Sequence, residues 1–269
     1  MDDLVKPSEK WDPFERPLFD NPKARDLSRV GVVDIGSNSV RLVVFDGAAR
    51  SPAYFFNEKV MCALGAGLAE SGKLNPNGRL RALSALRRFC TIAKGIGLPR
   101  LTAVATAAVR EASDGADFVA QVQSETGLKI HVINGEEEAR LAAQGVLLGW
   151  PGSYGLVCDM GGGSMELAEI ADGQVGKRVT SPLAPLKLIN IRGGKKGRKA
   201  AITETLDRLR DQMGPQSDRL FLVGGSWRAL ARIDMHRRGY PLHVMHEYQM
   251  TARDVKATLR YIEDCDLEA

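Results

Sequence analysis

Two aspartates that could bind a metal ion or take part in catalysis occupy the same position in a repeated sequence motif. VGVVDIGSNSVRL spans 30–42 and GLVCDMGGGSMEL spans 155–167; each is an apolar strand, an aspartate, a turn and a second apolar strand. Asp34 and Asp159 therefore end apolar strands, where a carboxylate adds little stability but is well placed to hold Mg²⁺ or its water shell. The repeat predicts two related lobes that each present an acidic site.

The turns that follow the two aspartates consist of small residues. Such turns expose backbone N–H groups, which bind phosphate oxygens well. An ordinary hairpin turn would explain either one alone, but two of them after matching aspartates favour phosphate binding. Neither turn has the spacing of the P-loop or of the dinucleotide-binding loop. The predicted phosphate-binding residues are Gly36, Ser37, Asn38 and Ser39 in the first turn and Gly161, Gly162, Gly163 and Ser164 in the second.

The second strands of the repeat differ in charge at equivalent positions. Arg41 lies seven residues after Asp34, and Glu166 lies seven residues after Asp159. Alternation along a strand places Arg41 and Glu166 on equivalent faces. Solvated edge charges are the simpler interpretation, whereas we favour Glu166 as a metal or phosphate-site ligand. The predicted metal ligands are Asp34, Asp159 and Glu166.

A third acidic segment, NGEEEARL, opens a predicted helix. Asn134 can cap this helix, and Glu137 three residues later has the capping-box spacing. Glu136 has Arg140 four residues on, so a surface ion pair explains it. Glu138 instead has apolar residues three and four positions on, which directs its carboxylate toward the body of the protein. Partial desolvation there would raise its pKa and favour a general base, with stabilisation of the helix dipole as the alternative.

A lone arginine follows the buried strand and small-residue turn of LTAVATAAVREASD. Apolar spacing does not require Arg110 at this position, and a guanidinium matches the geometry of a phosphate. An exposed arginine at a helix start is the alternative. The neighbouring turns and carboxylates favour Arg110 as a phosphate contact.

Five cations are concentrated at residues 192–199, RGGKKGRK, which we predict to form a Gly-rich loop. The net charge of the whole chain is only +4, so positive charge is distributed unevenly along the sequence. A solvated basic loop is the simpler interpretation, and an electrostatic guide for a polyanion is the alternative. The residue pattern leaves both open.

The elements that would position these residues alternate between strands and helices. With 269 residues, 44% hydrophobic and 26% charged, the sequence is typical of a soluble globular protein with a sizeable core. No apolar run is long enough to span a bilayer and the acidic, proline-rich N-terminus is unlike a signal peptide, so we expect a cytoplasmic protein. The predicted organisation is an arm at 1–28, a first lobe at 29–149 and a shorter second lobe at 150–269.

Together these segments resemble the exopolyphosphatase/guanosine pentaphosphate phosphohydrolase family, part of the larger group of actin-like, sugar-kinase and heat-shock ATPase folds. The resemblance implies an α/β fold of two ribonuclease-H-like lobes with mixed sheets and a cleft between them. Family members usually continue past Ala269 with a strand, a loop and a helix, so it also implies an incomplete second lobe. The segments that carry the resemblance are DIGSNSVRL (34–42), ATAAVRE (105–111), NGEEEARLAAQGV (134–146), DMGGGSMEL (159–167) and FLVGGSWRALA (221–231).

The resemblance implies Mg²⁺-dependent hydrolytic release of terminal phosphate from polyphosphate or, as the alternative, from the 5′ end of guanosine pentaphosphate. Glu138 matches the catalytic glutamate of the family, which activates the attacking water. Asp159 and Glu166 match acidic residues needed for metal and catalysis, and Arg110 matches a phosphate-contacting arginine. We expect a homodimer without membrane or nucleic-acid partners, and the need for K⁺ stays open. A non-catalytic protein that binds polyphosphate or a nucleotide is the remaining interpretation.

Overall fold

The chain forms two compact units, Met1–Ile133 and Asn134–Ala269. The computed structural model of the protein describes residues 29–45, 54–98 and 101–265. The predicted arm at 1–28 lies outside the described residues. Within the described ranges no helix is long and apolar enough to cross a membrane.

The first unit is built on a five-stranded mixed sheet in the order β3-β2-β1-β4-β5. Strands β1, β2 and β3 are antiparallel neighbours, whereas β4 and β5 run parallel to β1. The elements are β1 (Val30–Ile35), β2 (Ser39–Phe45), β3 (Tyr54–Met61), α1 (Leu68–Ser71), α2 (Pro76–Gly95), β4 (Leu101–Ala105), α3 (Ala107–Glu111), α4 (Gly115–Thr126) and β5 (Ile130–Val132).

The core of the first unit follows from alternation in the strands and a long helix that covers them. Val33 and Ile35 of β1 are fully buried, as the period of two requires for one face of a sheet. Helix α2 begins where the Asn75 side chain accepts a hydrogen bond from the Gly78 amide, and it buries Leu86 against the sheet. This sheet therefore holds the end of β1 in a fixed position.

The second unit repeats this plan with a four-stranded sheet in the order β8-β7-β6-β9. Its described residues contain no fifth strand. The elements are α5 (Gly135–Gly149), β6 (Gly155–Met160), β7 (Met165–Ala171), β8 (Gln174–Ser181), α6 (Pro185–Leu188), α7 (Gly194–Met213), β9 (Leu220–Val223), α8 (Gly225–Arg237) and α9 (Ala252–Asp264).

The boundary between the two units differs from the predicted one, because α5 belongs to the second unit. We expected the first lobe to extend to residue 149, whereas the second unit begins at Asn134. Small residues Ala139 and Ala143 let the helix approach β6 and β7 closely, where they are buried with Val157 and Ile170. Helical periodicity reveals an apolar stripe but does not reveal which sheet will cover it.

The basic segment at 192–199 is also different from the prediction of a loop. Residues from Gly194 onward form the first two turns of α7, after Gly193 adopts a left-handed conformation with φ 88°. Its lysines and arginines therefore sit at the end of the helix where the backbone dipole is already positive. Among the described residues, no carboxylate is paired with any of these five cations. The segment is a concentrated positive surface on a regular helix.

A buried aspartate joins α8 to α9 and the segment between them. Asp234 is fully buried and accepts hydrogen bonds from the Tyr248 hydroxyl at 2.6 Å, the Thr258 hydroxyl at 2.7 Å and Arg237 Nη2 at 2.7 Å. Burial alone would raise the pKa of Asp234, but these three donors and the charge of Arg237 outweigh it and lower the pKa to about 2. Asp234 is therefore a charged anchor for the C-terminal helices.

Replacing Asp234 by asparagine tests this anchor. Asp234→Asn removes the charge and turns one acceptor into a donor that faces other donors, so we expect a loss of about 2–4 kcal/mol in the free energy of unfolding. Urea unfolding of both proteins at neutral pH measures the difference. The matched control is Asp211→Asn, an exposed carboxylate on α7, which should change stability by less than about 0.5 kcal/mol. Equal stability of Asp234→Asn and the unchanged chain would contradict the anchor.

Candidate active site

The two predicted turns close in the same way. The Gly36 amide donates to the Ser39 carbonyl at 3.0 Å, and the Gly161 amide donates to the Ser164 carbonyl at 3.0 Å. Each bond joins the end of one strand to the start of its antiparallel partner, so both repeats are hairpins. The structure thus places the eight predicted turn residues at two equivalent hairpin ends, one in each unit, with Ser39 as the first residue of β2.

The first turn is fixed by backbone hydrogen bonds from the segment that follows β3. The Ser37 carbonyl accepts from the Gly65 amide at 2.7 Å, and the Asn38 carbonyl accepts from the amides of Cys62 and Ala63. Ser37 is buried, whereas Asn38 is exposed. With its carbonyls engaged, the turn keeps its amides, rather than its acceptors, available to a ligand.

The second turn is held by α6. The Gly162 carbonyl accepts from the Leu186 amide at 3.1 Å. In the described part of the chain, the amides of Gly162, Gly163 and Ser164 donate to no protein acceptor. Three adjacent N–H groups without protein acceptors form the type of concave donor group that binds phosphate oxygens.

The strand register aligns the charged residues of each sheet in a row across neighbouring strands. In the second unit Asp159 on β6 is opposite Glu166 on β7, and Glu166 is opposite Thr180 on β8. In the first unit Asp34 is opposite Arg41, and Arg41 is opposite Lys59. The predicted equivalence of Arg41 and Glu166 is confirmed, and their outer neighbours differ as well.

Glu166 is the most unusual side chain of the second row, because it is a carboxylate that is 1% exposed. Its Oε1 accepts from the Thr180 hydroxyl at 2.9 Å, whereas its Oε2 has no hydrogen-bond partner among the described residues. Burial, followed by the nearby negative charge of Glu138, raises the pKa of Glu166 to about 7; Asp159 contributes in the same direction. The buried Ser164 hydroxyl lies close enough to oppose this rise, although it reaches no hydrogen-bonding geometry itself.

Glu138 lies one turn into α5, in the same unit as Asp159 and Glu166. Its charge acts on Glu166 more strongly than that of Asp159 does, so the three carboxylates form one electrostatic group. The most buried positions of α5 are Gly135, Ala139 and Ala143 rather than the stripe that was expected below Glu138. Glu138 is therefore half-buried at the border of the helix–sheet contact.

The neighbouring acids of α5 behave partly as predicted. Asn134 caps the helix by accepting from the Glu137 amide at 2.8 Å. Arg140 pairs with Glu137 (Nε to Oε2, 2.7 Å) instead of with Glu136, and this pair draws Glu137 away from a full capping box. The spacings of three and four residues both bring side chains together on a helix, so the sequence could not decide between the two acids.

Arg110 has a structural contact in addition to its predicted role. It lies in α3, is half-buried, and donates from Nη1 to the Ile133 carbonyl at 2.8 Å. Since Ile133 is the last residue of the first unit, Arg110 fixes the end of that unit beside Asn134. The predicted phosphate contact of Arg110 is neither supported nor contradicted by this bond.

The carboxylates of the second row fit a Mg²⁺ ion that is shared with a phosphate ligand. Among the described residues, no group of three or more acidic, histidine or cysteine side chains is arranged to hold a metal by itself. Mg²⁺ does not require such a cage, because it commonly binds one or two carboxylates, water and phosphate oxygens. The unpartnered Oε2 of buried Glu166, in the same row as Asp159, is a hard oxygen donor of the required type.

Three residues that the sequence analysis did not select contact this group. Thr180 donates to Glu166, and Gly135 lies so close to Thr180 that an added Cβ would be 2.4 Å from the Thr180 Cβ. Gly224, with φ 115°, approaches Asp159; an added Cβ there would be 3.2 Å from its Oδ1. The pair of glycines before α8 was a visible signal for the last contact, whereas Thr180 carries no motif.

The raised pKa of Glu166 predicts that its charge destabilises the fold. The folded chain binds this proton more tightly than the unfolded chain does, so stability falls as the pH rises from about 4.5 to about 7. Glu166→Gln keeps the shape without the charge. We expect Glu166→Gln to have a higher free energy of unfolding than the unchanged chain at about pH 8. This difference between the two proteins should be smaller by about 2 kcal/mol at about pH 5.5.

Thermal unfolding of the variant and the unchanged chain at both pH values measures this effect. Glu169→Gln is the matched control, since Glu169 is a half-buried acid on the same strand β7. A Glu166→Gln protein that is less stable than the unchanged chain at both pH values would refute the prediction.

Comparison with known proteins places this geometry in a family. Residues 43–269 match the sequence model of the Ppx/GppA phosphatase family. Proteins called Exopolyphosphatase 1 from Mycobacterium tuberculosis and Mycobacterium bovis are each 34% identical over 163 residues, which are 60% of this chain and 47% of the relative. The chain thus spans about half the length of the curated relatives it matches.

Solved structures show the same fold. An exopolyphosphatase from Cytophaga hutchinsonii matches with a TM-score of 0.77 at 23% identity, over 87% of this chain and 79% of that one. The Ppx/GppA family member from Aquifex aeolicus matches with a TM-score of 0.71 at 24% identity, over 89% of this chain and 80% of that one. The predicted α/β fold with two mixed-sheet lobes is confirmed. Since the family match also covers most of its length, the chain belongs to the Ppx/GppA phosphatase family.

Proposed function

We propose that this protein hydrolyses phosphoric anhydrides and releases terminal orthophosphate from inorganic polyphosphate. The observation that carries the proposal is buried Glu166 beside Asp159 and Glu138, next to the turn at 161–164. Within residues 29–45, 54–98 and 101–265, one oxygen of Glu166 has no hydrogen-bond partner and three amides of this turn have no protein acceptor. A buried acid of this kind is costly for stability and is therefore a strong signal of function. The name of the curated mycobacterial relatives supports polyphosphate as the substrate.

Glu138 is the general base of the proposed reaction. A water molecule attacks the terminal phosphorus, the bond from that phosphorus to the bridging oxygen breaks, and the shortened chain leaves with the bridging oxygen. Glu138 accepts the proton that the water gives up as the new P–O bond forms. Glu138 is suited to this role because it is half-buried in the same unit as Glu166 and Asp159, close enough for its charge to act on Glu166.

The turn at 161–164 stabilises the charge that accumulates on the phosphoryl oxygens. In phosphoryl transfer, positioning and electrostatic stabilisation supply most of the acceleration. Adjacent amides on a turn held by Leu186 are pre-oriented donors that do not have to reorganise during the reaction. Arg110 and the turn at 36–39 of the first unit are proposed as further phosphate contacts.

Mg²⁺ is the proposed cofactor, held by Asp159 and Glu166, with Asp34 as a further candidate ligand. When bound, it would neutralise phosphate oxygens and act as a Lewis acid. Two acids in one row attract a divalent cation, and Thr180 orients Glu166 without supplying a competing positive charge. In the first row Asp34 is in register with Arg41, which is in register with Lys59. These two side-chain cations make a metal ion less necessary there.

The charge of α7 favours a long polyanion over a nucleotide. Four cations of the basic segment lie in the first two turns of α7, which follows α6 by a few residues. Since α6 contacts the second turn through Leu186, the segment is close in the chain to the proposed phosphate site. Guanosine pentaphosphate is the second candidate substrate.

Replacing the proposed base tests the reaction. Glu138→Gln keeps the size of the side chain but cannot accept the proton, so we expect kcat for phosphate release to fall by about 10²- to 10⁴-fold while polyphosphate binding changes little. Phosphate release is measured in parallel from long-chain polyphosphate, guanosine pentaphosphate and ATP, and binding is measured by titration.

The matched control is Glu136→Gln, an exposed acid in the same turn of α5, which should leave the rate within about twofold. A fully active Glu138→Gln protein would refute the role of Glu138. Binding of polyphosphate by the unchanged chain without release from any of the three substrates would favour the non-catalytic interpretation.

Neutralising two lysines tests the role of the basic segment. Lys195 and Lys196 are exposed, so the double substitution to alanine should leave the fold intact and raise KM for long-chain polyphosphate several-fold, with a smaller effect on triphosphate and at high salt. The control is the double alanine substitution of exposed Arg208 and Arg210, near the other end of the same helix. An equal effect of both pairs, or none, would favour a merely solvated basic surface.

A further inference from the structure

Thr180 occupies the outer position of the second charged row, where the first row has a lysine. The outer residue of the first row is Lys59, a cation next to Arg41. The outer residue of the second row is Thr180, a neutral hydroxyl next to Glu166. Any cation at 180 would compete with an external cation for the Glu166 carboxylate, whereas a hydroxyl can orient that carboxylate without neutralising it.

The hydroxyl of Thr180 makes the two oxygens of Glu166 inequivalent. Oε1 accepts from Thr180 Oγ1 at 2.9 Å, and buried Oε2 has no partner within the described ranges. A single hydrogen bond at one oxygen fixes the rotation of the carboxyl group about its terminal torsion, which is otherwise soft. The bond therefore determines where the open oxygen points.

The carbon atoms of Thr180 contact the first residue of α5. A Cβ added at Gly135 would lie 2.4 Å from the Thr180 Cβ and 2.6 Å from its Cγ2, so only glycine fits at the present separation of α5 and β8. Glu138 follows one turn later on the same helix. The Thr180 Oγ1 would also lie 2.5 Å from that added Cβ, so the whole side chain packs against the start of the Glu138 helix while its hydroxyl donates to Glu166.

We propose that Thr180 is a positioning residue that sets the orientation of the Glu166 carboxylate and its separation from Glu138. The proposal rests on the proposed function, because it assigns Thr180 a part in the same site. Its hydroxyl holds Oε1 so that Oε2 is presented to the substrate and its cation. Its packing against Gly135 keeps the general base at a constant height above the sheet.

Two substitutions separate the hydroxyl from the packing. Thr180→Val keeps the branched shape that contacts Gly135 and removes the donor, so we expect kcat to fall about tenfold to hundredfold while KM changes less than about threefold. Thr180→Ser keeps the donor and should retain at least about half of the activity. Thr203→Val, an exposed threonine on α7, is the control and should match the unchanged chain.

A double-mutant cycle tests the contact without relying on activity. Thr180→Val is combined with Glu166→Ala, and the urea midpoints of the four proteins are compared at about pH 8. We expect Thr180→Val to lower the midpoint when Glu166 is present and to leave it unchanged or raised when Glu166 is absent.

These measurements distinguish failure of the inference from failure of the proposed function. An active unchanged chain with a fully active Thr180→Val variant, or a Thr180→Ser variant as impaired as Thr180→Val, overturns the positioning role of the hydroxyl. Zero coupling in the stability cycle overturns it whether or not the chain releases phosphate. Absence of release by the unchanged chain, together with clear coupling, overturns the proposed function and leaves the orienting contact established.

Discussion

The burial of the Glu166 carboxylate is the constraint on which the site depends. A pKa of about 7 in place of 4.5 means that the charged form is disfavoured by something on the order of 3 kcal/mol in the folded chain. This cost is a large fraction of the stability of an ordinary domain. The surrounding sheet and helix must offset it, which explains why Glu166 lies on β7, an inner strand between β6 and β8, and not in a loop.

The packing of α5 maintains this unfavourable arrangement. Ala139 and Ala143 bring the helix close to β6 and β7, and Gly135 brings its first turn against Thr180. Larger side chains at these positions would lift the helix from the sheet and reduce the effect of Glu138 on Glu166. Small residues thus allow two like charges to be held near one another, and their apolar contacts compensate for the repulsion.

The structure turns a repeated motif into two chemically different rows. Backbone geometry is the same in both hairpins, down to the 3.0 Å bond that closes each turn. The rows differ only in side chains: acid, cation, cation in the first unit and acid, acid, hydroxyl in the second. A compensated row suits a structural or anion-binding role, whereas an uncompensated row attracts a cation and perturbs the pKa of its members.

The sequence by itself determined the strands, the two hairpin turns, the long helices and the equivalence of Arg41 and Glu166, because each depends on local periodicity or on the repeated motif. It did not determine the partner sheet of α5, the helical state of the basic segment, the choice of Arg140 between two acids or the role of Thr180. Each of these depends on which surfaces meet across long stretches of chain. Thr180 is separated from Gly135 by 45 positions in the sequence, and only tertiary packing brings its hydroxyl to Glu166 and its side chain against the first residue of the helix that carries Glu138.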